Sequence, residues 1–481
     1  MAHDKTMTLA MSTNSPVIVW FREDFRLADN EALFAASRIG APLFCVSILE
    51  DGKSAMTASD WWLGKTLTTF DATLKVRGGA LHVCRGNARE VLPELVQRSG
   101  ARTVLWNRRY DPDGRETDTD LKRTLRDAGI EAHSFAGNLV HEPWTVRTQA
   151  NQPFKVFTAF WRAACQIDDH RPVLPAPENL DFWWEDVSHW DRWVAATALE
   201  DEMASLEWTR PLEAHHEVSE SAAHEHLETF IDTALSRYGV ERDFPAMDAT
   251  SGLSAYLRFG QVTPRQIRQA VRERDVRTGR EKFFAELGWR EFAWSLLWEY
   301  PDMASCNLRS EFDAMPWRDD PQGLRAWQRG QTGYPLVDAG MRELWQTGVM
   351  HNRVRMVVAS FLIKDLLIDW RLGERWFAET LVDYDPASNA MNWQWNAGTG
   401  VESAPFFRMM NPVLQSRKFD VSGAYIRRWV PELAALSDRD IHAPWEAGTP
   451  PSHYPAPIVD HAGARHRALD AYEHVRKSRR L

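Results

Sequence analysis

The run PVIVWFREDFRLADNEALFAASRIGAPLFCVSIL, residues 16–49, decides the fold. Its two ends, PVIVWFR (16–22) and PLFCVSIL (42–49), are short, apolar, rich in β-branched and aromatic side chains, and show no polar alternation. Strands of that kind are buried on both faces, as in a parallel sheet covered by helices. Asn30–Ser37 between them has helical spacing, so the run reads as strand, helix, strand. The pattern continues outward. Trp61–Arg77 reads as a helix ending at Gly78-Gly79, and ALHVCRG (80–86) and TVLWNRRY (103–110) as further strands with helices between and after. The expected architecture is an α/β doubly wound parallel-sheet domain over residues 16–144, preceded by a loose N-terminal tail, 1–15. No GxGxxG follows the first strand, which argues against a dinucleotide fingerprint there.

Residues 145–225 read as an acidic connector that wraps a domain surface, with a Pro-rich patch (RPVLPAPENL) and paired indoles (DFWWEDVSHWDRW). From Asp168 to Asp248 there are 20 acidic residues against five arginines and no lysine, a balance of −15. The whole chain carries −10, so the remainder sums to +5, and the acidic total does not exclude a nucleic-acid partner. Residues 226–481 read as an all-α C-terminal domain: LETFIDTALSRY, SGLSAYLRFG, PRQIRQAVRER and KFFAELGWREFAWSLLWEY are helical patterns. Helices are expected to break at GTGVESAP and to end near Trp429, and no internal repeat is visible.

At 481 residues, 44% hydrophobic and 26% charged, the chain suits a soluble protein of two or three domains. Cys45, Cys84, Cys165 and Cys306 lie far apart, with no CxxC and no Cys/His pairing at metal spacing, so neither a disulfide framework nor a metal site is expected. There is no apolar run of membrane-span length and no signal-peptide core in Met1–Ser15, so a cytoplasmic protein is expected. Tryptophan is over-used: 23, against 22 Phe and 9 Tyr. Indoles in that number point to stacking or electron transfer beside ordinary core packing.

The chemistry concentrates between Trp327 and Phe419, in WQRGQTGYPLVDAGM, VMHNRVRMVVASFLIKDLLIDW, DYDPASNAMNWQWNAG and FFRMMNPVLQSRKFD. Asp, Asn, Met and Arg interleaved with Trp suit a large aromatic ligand gripped by polar groups better than a plain core. Asn352 and Met356, four apart, share a helix face with Arg355 beside them. A buried arginine needs an anion, and Asp383 and Asp385 are the nearest supply; a structural ion pair explains this as well as a ligand site does. Thr250–Ser254 (TSGLS) offers hydroxyls and N–H groups to a phosphate at a helix start, although Thr-Ser is also a common N-cap. Trp317, Trp370 and Trp393 form an oxidisable series that core packing alone would also explain. Glu286 and Trp289 on one helix, with Trp395, place a carboxyl near two indoles, as for a stacked base, or else a solvent-facing Glu on an amphipathic helix.

Taken together and in order, VIVWFREDFRLADNEAL, TSGLSAYLRFGQVTPRQ, ELGWREF, WQRGQTGYPLVDAGM, MHNRVRM and NWQWNAGTG resemble the photolyase/cryptochrome family, from Val17 to Trp445. Within it the chain looks most like a microbial cyclobutane pyrimidine dimer photolyase; WWLGKTL and EPW…PFKVFTAFWRA look like class III. The resemblance implies light-dependent repair of pyrimidine-dimer DNA with FAD, by a monomer that associates with the nucleoid. It places Tyr238, Thr250, Ser251, Gly252, Leu253, Ser254, Phe283, Arg290, Arg355, Asp383 and Asp385 around FAD, and Asn389 at flavin N5. It makes Trp393, Trp370 and Trp317 an electron-transfer triad. Glu286, Trp289, Asn352, Met356 and Trp395 become the lesion pocket, with Arg242, Arg353 and Gln415 on DNA. Asn352 and Met356 stand where (6-4) photolyases resembling this pattern carry a histidine pair, and the chain ends in HVRKSRRL without the long extension of plant-type cryptochromes. The rival reading is a cryptochrome-type blue-light receptor without repair; a flavin-independent helical interaction protein is a distant third. Where folate-binding members carry Glu, the motif DPDGR has Gly114. The expected antenna is nevertheless 5,10-methenyltetrahydrofolate held in another way, with a deazaflavin or no antenna as alternatives.

Overall fold

A computed structural model describes residues 15–50, 56–167, 171–449 and 451–478, so the expected tail lies outside the described residues except for Ser15. Six strands form one sheet: β1 (Val17–Phe21), β2 (Leu43–Leu49), β3 (His82–Arg85), β4 (Thr103–Asn107), β5 (Glu131–Phe135) and β6 (Trp193–Val194). Their order is β5-β4-β1-β2-β3-β6, parallel except for the β3–β6 pair. The unbroken apolar runs are explained by what lies on each side. Val17, Val19, Phe21 and Cys45 enter one core, and Ile18, Trp20, Phe44 and Val46 enter another on the opposite face. The expected helix at Trp61 begins earlier, at Ala58, because Thr57 and Asp60 form a reciprocal capping box ahead of it. β6 comes from the acidic segment, which lies against the sheet edge and covers it.

The helical half follows from the Glu220–Thr233 helix onward. GTGVESAP is irregular, as expected, between the Pro386–Ala397 and Pro412–Phe419 helices. The helices do not end near Trp429, however: a further helix, His461–Ser478, packs on the π-helical turn Phe361–Asp365. Its buried stripe is Ala464, Ala468, Ala471 and Val475, a face too weakly apolar to stand out in sequence.

The two halves are welded by buried charge. Arg26 is fully buried and donates to the Asn138 side chain (2.8 Å), the Gly260 carbonyl (2.8 Å) and the Asp29 carbonyl (2.8 Å). Thr263 and Arg265 close on the Asp29 carboxylate at 2.6 and 3.0 Å. Breaking such a network would strand a charge in the dry interior, so it fixes one docking geometry.

Candidate active site

The Pro386–Ala397 helix starts at Asp385, whose carboxylate accepts from Ser388 N–H (2.7 Å) as N-cap and from the Trp294 indole N–H (3.0 Å). Asp385 is therefore committed, and Arg355 pairs with Asp383 alone, one nitrogen reaching both carboxylate oxygens at 3.1 and 2.8 Å. The pair expected from sequence exists, but Arg355 is not buried: its side chain is 27% exposed against 4% for Asp383. It sits in the first turn of the Asn352–Ser360 helix, where the surface opens at Asn352. Its Nε also donates to the Met350 carbonyl at 2.7 Å.

One turn into the Pro386–Ala397 helix, Asn389 is buried and its amide N–H group donates to the Glu374 carbonyl (3.1 Å) and carboxyl (3.0 Å). Burial raises the Glu374 pKa, with Asn389 and Tyr384 pulling the other way. Glu374 thus fixes the amide, turning the Asn389 carbonyl oxygen away from itself as an acceptor. Sequence reasoning missed Glu374, which in ERWFAET looks like an ordinary solvent-facing residue.

The TSGLS hydroxyls are not helix caps. Leu253 holds the N-cap position of the short Ser254–Arg258 helix, with no side-chain cap. Thr250, Gly252 and Ser254 are exposed, and Ser251 accepts from Leu253 N–H at 3.4 Å. Gly252 sits at φ +64°, so the loop takes a turn that side chains resist. Tyr238 and Phe283 are buried edge to face at 5.4 Å. Arg290 donates to the Asn138 (2.8 Å) and Leu257 (3.3 Å) carbonyls, reaching across to the α/β half. Uncommitted hydroxyls, a paired Arg355–Asp383 and an oriented Asn389 are the donor set a flavin dinucleotide needs, so the residues present fit FAD.

On the adjoining face, Arg242 pairs with Glu286, and Lys282 reaches the same Glu286 oxygen at 3.1 Å. Glu286 is part-exposed, at 26%, and doubly paired rather than free in solvent. Arg353 pairs with Asp243 at 2.8 Å, lies over the Phe419 ring at 4.5 Å and approaches Met356 sulfur at 4.0 Å. Trp289 is stacked on Phe157 at 3.8 Å and 11°. Phe157 comes from the connector and was not foreseen. Asn352 is exposed; Met356, Trp395 and Gln415 are half-buried. His351 caps the helix, its Nδ1 accepting from Arg353 N–H at 3.1 Å.

Trp393 and Trp370 are buried (2% and 0%) and Trp317 is half-buried, all in one hydrophobic cluster. Trp370 donates its indole N–H to Asn307 at 2.9 Å. A Cβ on Gly373 would overlap the Trp393 ring, so the helices carrying Trp370 and Trp393 touch because position 373 is glycine.

At DPDGR, a Cβ on Gly114 would lie 2.6 Å from the Arg109 side chain and 2.8 Å from Asp111. Arg109 and Asp111 are paired at 2.8 Å, so this corner is closed to a glutamate. Nearby, at the carboxyl ends of β1 and β4, a cleft between the halves is lined by Arg22, Arg109, Tyr110, Arg258 and Trp294.

Two family models match the chain: DNA photolyase over residues 17–178 and the FAD binding domain of DNA photolyase over residues 283–474. The deoxyribodipyrimidine photo-lyase of Agrobacterium fabrum is 46% identical over 480 residues, covering 96% of this chain and 99% of that protein. A bacterial class III photolyase from Agrobacterium tumefaciens superposes with TM-score 0.91 at 45% identity, covering 98% of this chain and all of that one. Cryptochrome-2 of Arabidopsis thaliana is 33% identical, covering 97% of this chain but 80% of its own length. With both halves matched and near-complete overlap with photolyases, the chain belongs to the DNA photolyase family.

Proposed function

We propose that the chain is a deoxyribodipyrimidine photo-lyase that repairs cyclobutane pyrimidine dimers in DNA under light. One observation carries the reading: a single helix, Asn352–Ser360, sends Arg355 to Asp383 while presenting Asn352, Arg353 and Met356 beside the Arg242–Glu286 face. A cofactor set and a lesion set are thereby joined on one rigid element.

FAD held there would supply the chemistry, an electron lent to the dimer from its reduced, photoexcited form. The chain's residues do the rest. Thr250, Ser251, Gly252 and Ser254 would hold the pyrophosphate, Tyr238 and Phe283 would pack beside it, and Arg355, Asp383 and Asn389 would grip the flavin. Asp385 holds its helix start and Trp294 in place behind them. Trp289 and Trp395 stack on the flipped dimer, with Asn352 and Met356 against it, and the Glu286 carboxylate accepts from the N–H of its polar edge. Flipping costs less at a dimer, whose stacking is already damaged. Arg242, Arg353 and Gln415 bind the backbone. Trp317, Trp370 and Trp393 conduct an electron inward from the surface. The protein acts as a cytoplasmic, nucleoid-associated monomer; among the described residues no helix is long and apolar enough to cross a membrane. Its antenna is 5,10-methenyltetrahydrofolate, held away from the crowded Gly114 corner, and the absorption spectrum of the native protein distinguishes this from a deazaflavin or no antenna.

The test is illumination of the reduced native protein with a thymine-dimer oligonucleotide. Dimer loss in light and none in the dark is expected. Flavin photochemistry without dimer loss overturns the reading in favour of a blue-light receptor.

A further inference from the structure

The two arginines assigned to phosphates are both held by carboxylates. Arg242 is on Glu286, and Arg353 is on Asp243 at 2.8 Å, with Arg242 Nε 4.0 Å from the same Asp243 carboxylate. The Arg242 side chain is only 10% exposed. Burial alone would lower its pKa, but Glu286 and Asp243 reverse this and raise it. A guanidinium so placed cannot be left unpaired, so its carboxylate leaves only when another anion arrives.

The two carboxylates are not equivalent. Asp243 is not among the residues assigned to the lesion pocket, so damaged and undamaged backbones compete equally for Arg353. Glu286 is also the group that hydrogen-bonds the flipped dimer. Lys282, at 3.1 Å, remains to neutralise it when Arg242 departs.

We propose that the Arg242–Glu286 pair is an exchange switch: Glu286 stays on Arg242 until a flipped dimer takes its hydrogen bonds, and only then does Arg242 turn to a backbone phosphate. This rests on the photo-lyase reading above. Undamaged DNA, which offers nothing to Glu286, is gripped with one phosphate contact fewer. The pair thus sets specificity for damage through the backbone rather than through base contacts alone.

The consequence is a difference in salt dependence. Binding of duplex oligonucleotides with and without one thymine dimer is followed in the dark by fluorescence anisotropy, using the FAD-loaded protein. The logarithmic salt slope is expected to be steeper for the dimer by about 0.9, a roughly 3.5-fold larger loss of affinity between 50 and 200 mM salt. In Glu286→Gln, Arg242 is free for either DNA, so the slope for undamaged duplex steepens by about 0.9 and the difference closes. In Asp243→Asn, both duplexes bind more tightly by a similar factor and the difference persists. Equal slopes in the native protein, or an unchanged undamaged slope in Glu286→Gln, overturn the switch. Light-driven dimer loss, assayed on the same preparation, is independent of it: reversal with equal slopes removes only the switch, and no reversal removes the photo-lyase reading itself.

Discussion

His351 offers a prediction whose size follows from the structure. It precedes Asn352 and Arg353, and its imidazole serves as the N-cap acceptor for the helix that carries both. Only neutral imidazole can accept there. Burial depresses its pKa from 6.5 to about 4, the Arg242 carbonyl and Asp243 only partly opposing. A base whose folded pKa is depressed binds fewer protons folded than unfolded. Its contribution to stability is therefore intact above about pH 6.5 and is lost progressively as pH falls toward 4. At pH 5 the loss is about 2 kcal/mol. Asparagine caps a helix as well and does not titrate, so His351→Asn should stay within about 1 kcal/mol of the native protein at pH 7.5. It should become the more stable of the two as pH approaches 5. Denaturant midpoints of the FAD-loaded proteins, measured across that range, give the difference profile. His82, which burial also lowers to about 4, remains in both and cancels. If the two profiles run parallel from pH 7.5 to 5, His351 is not a buried neutral cap and the account of this helix start is wrong.

Three other outcomes are expected. Asp383→Asn leaves Arg355 without its carboxylate; discounting for the 27% exposure of Arg355, a cost of about 1–3 kcal/mol and purification with less FAD are expected. Full FAD content at unchanged stability would take Asp383 out of the cofactor site. Gly373→Ala pushes a methyl into the Trp393 ring, which is too buried to swing away, so a loss of about 1–3 kcal/mol and slower photoreduction of oxidised FAD are expected. A neutral substitution would mean the two helices are not in contact there. Glu286→Ala should lower the dimers split per absorbed photon at unchanged FAD content, and an unaltered yield would remove Glu286 from the chemistry.

Much of this architecture was legible because it rests on local rules. The strands β1 and β2 announce themselves by apolar residues at every position, which only a sheet covered on both faces tolerates. That Arg355 pairs with an acid of the DYD segment was legible from the apolar run around it, although the arginine is part-exposed and the choice of Asp383 over Asp385 was not readable. What stayed hidden depends on distant partners. β6 is two residues long and exists only because β3 offers it an edge. Glu374 acts on Asn389, fifteen residues away, through a fold that no periodicity encodes. Phe157 reaches Trp289 from the connector, and the Arg242–Glu286 and Arg353–Asp243 pairs join segments unrelated in sequence. Charge totals point the wrong way here, since a strongly acidic middle masks the arginines that matter.

The seam between the halves explains why a helical active site keeps an α/β partner so firmly attached. Arg258 donates to the Tyr384 carbonyl (2.7 Å), between Asp383 and Asp385, and pairs with Glu23 of the other half at 2.7 Å. Glu23 holds φ +101°, a costly conformation for a non-glycine residue, while its carbonyl accepts from Asn138 and packs where a Cβ on Gly260 would sit. Strain of that kind persists only where the surroundings over-determine it. Here they include Arg26, fully buried across the same seam, and Arg290, which runs from the Arg280–Glu299 helix to the Asn138 carbonyl. Hydrophobic contact alone would hold the halves together without fixing their angle. Directional pairs ending at Tyr384 and Asn138 fix it, and the one at Tyr384 lies within one residue of both Asp383 and Asp385. Anything bound in the cleft beside Trp294 therefore stands at a set orientation to Asp383 and Asp385.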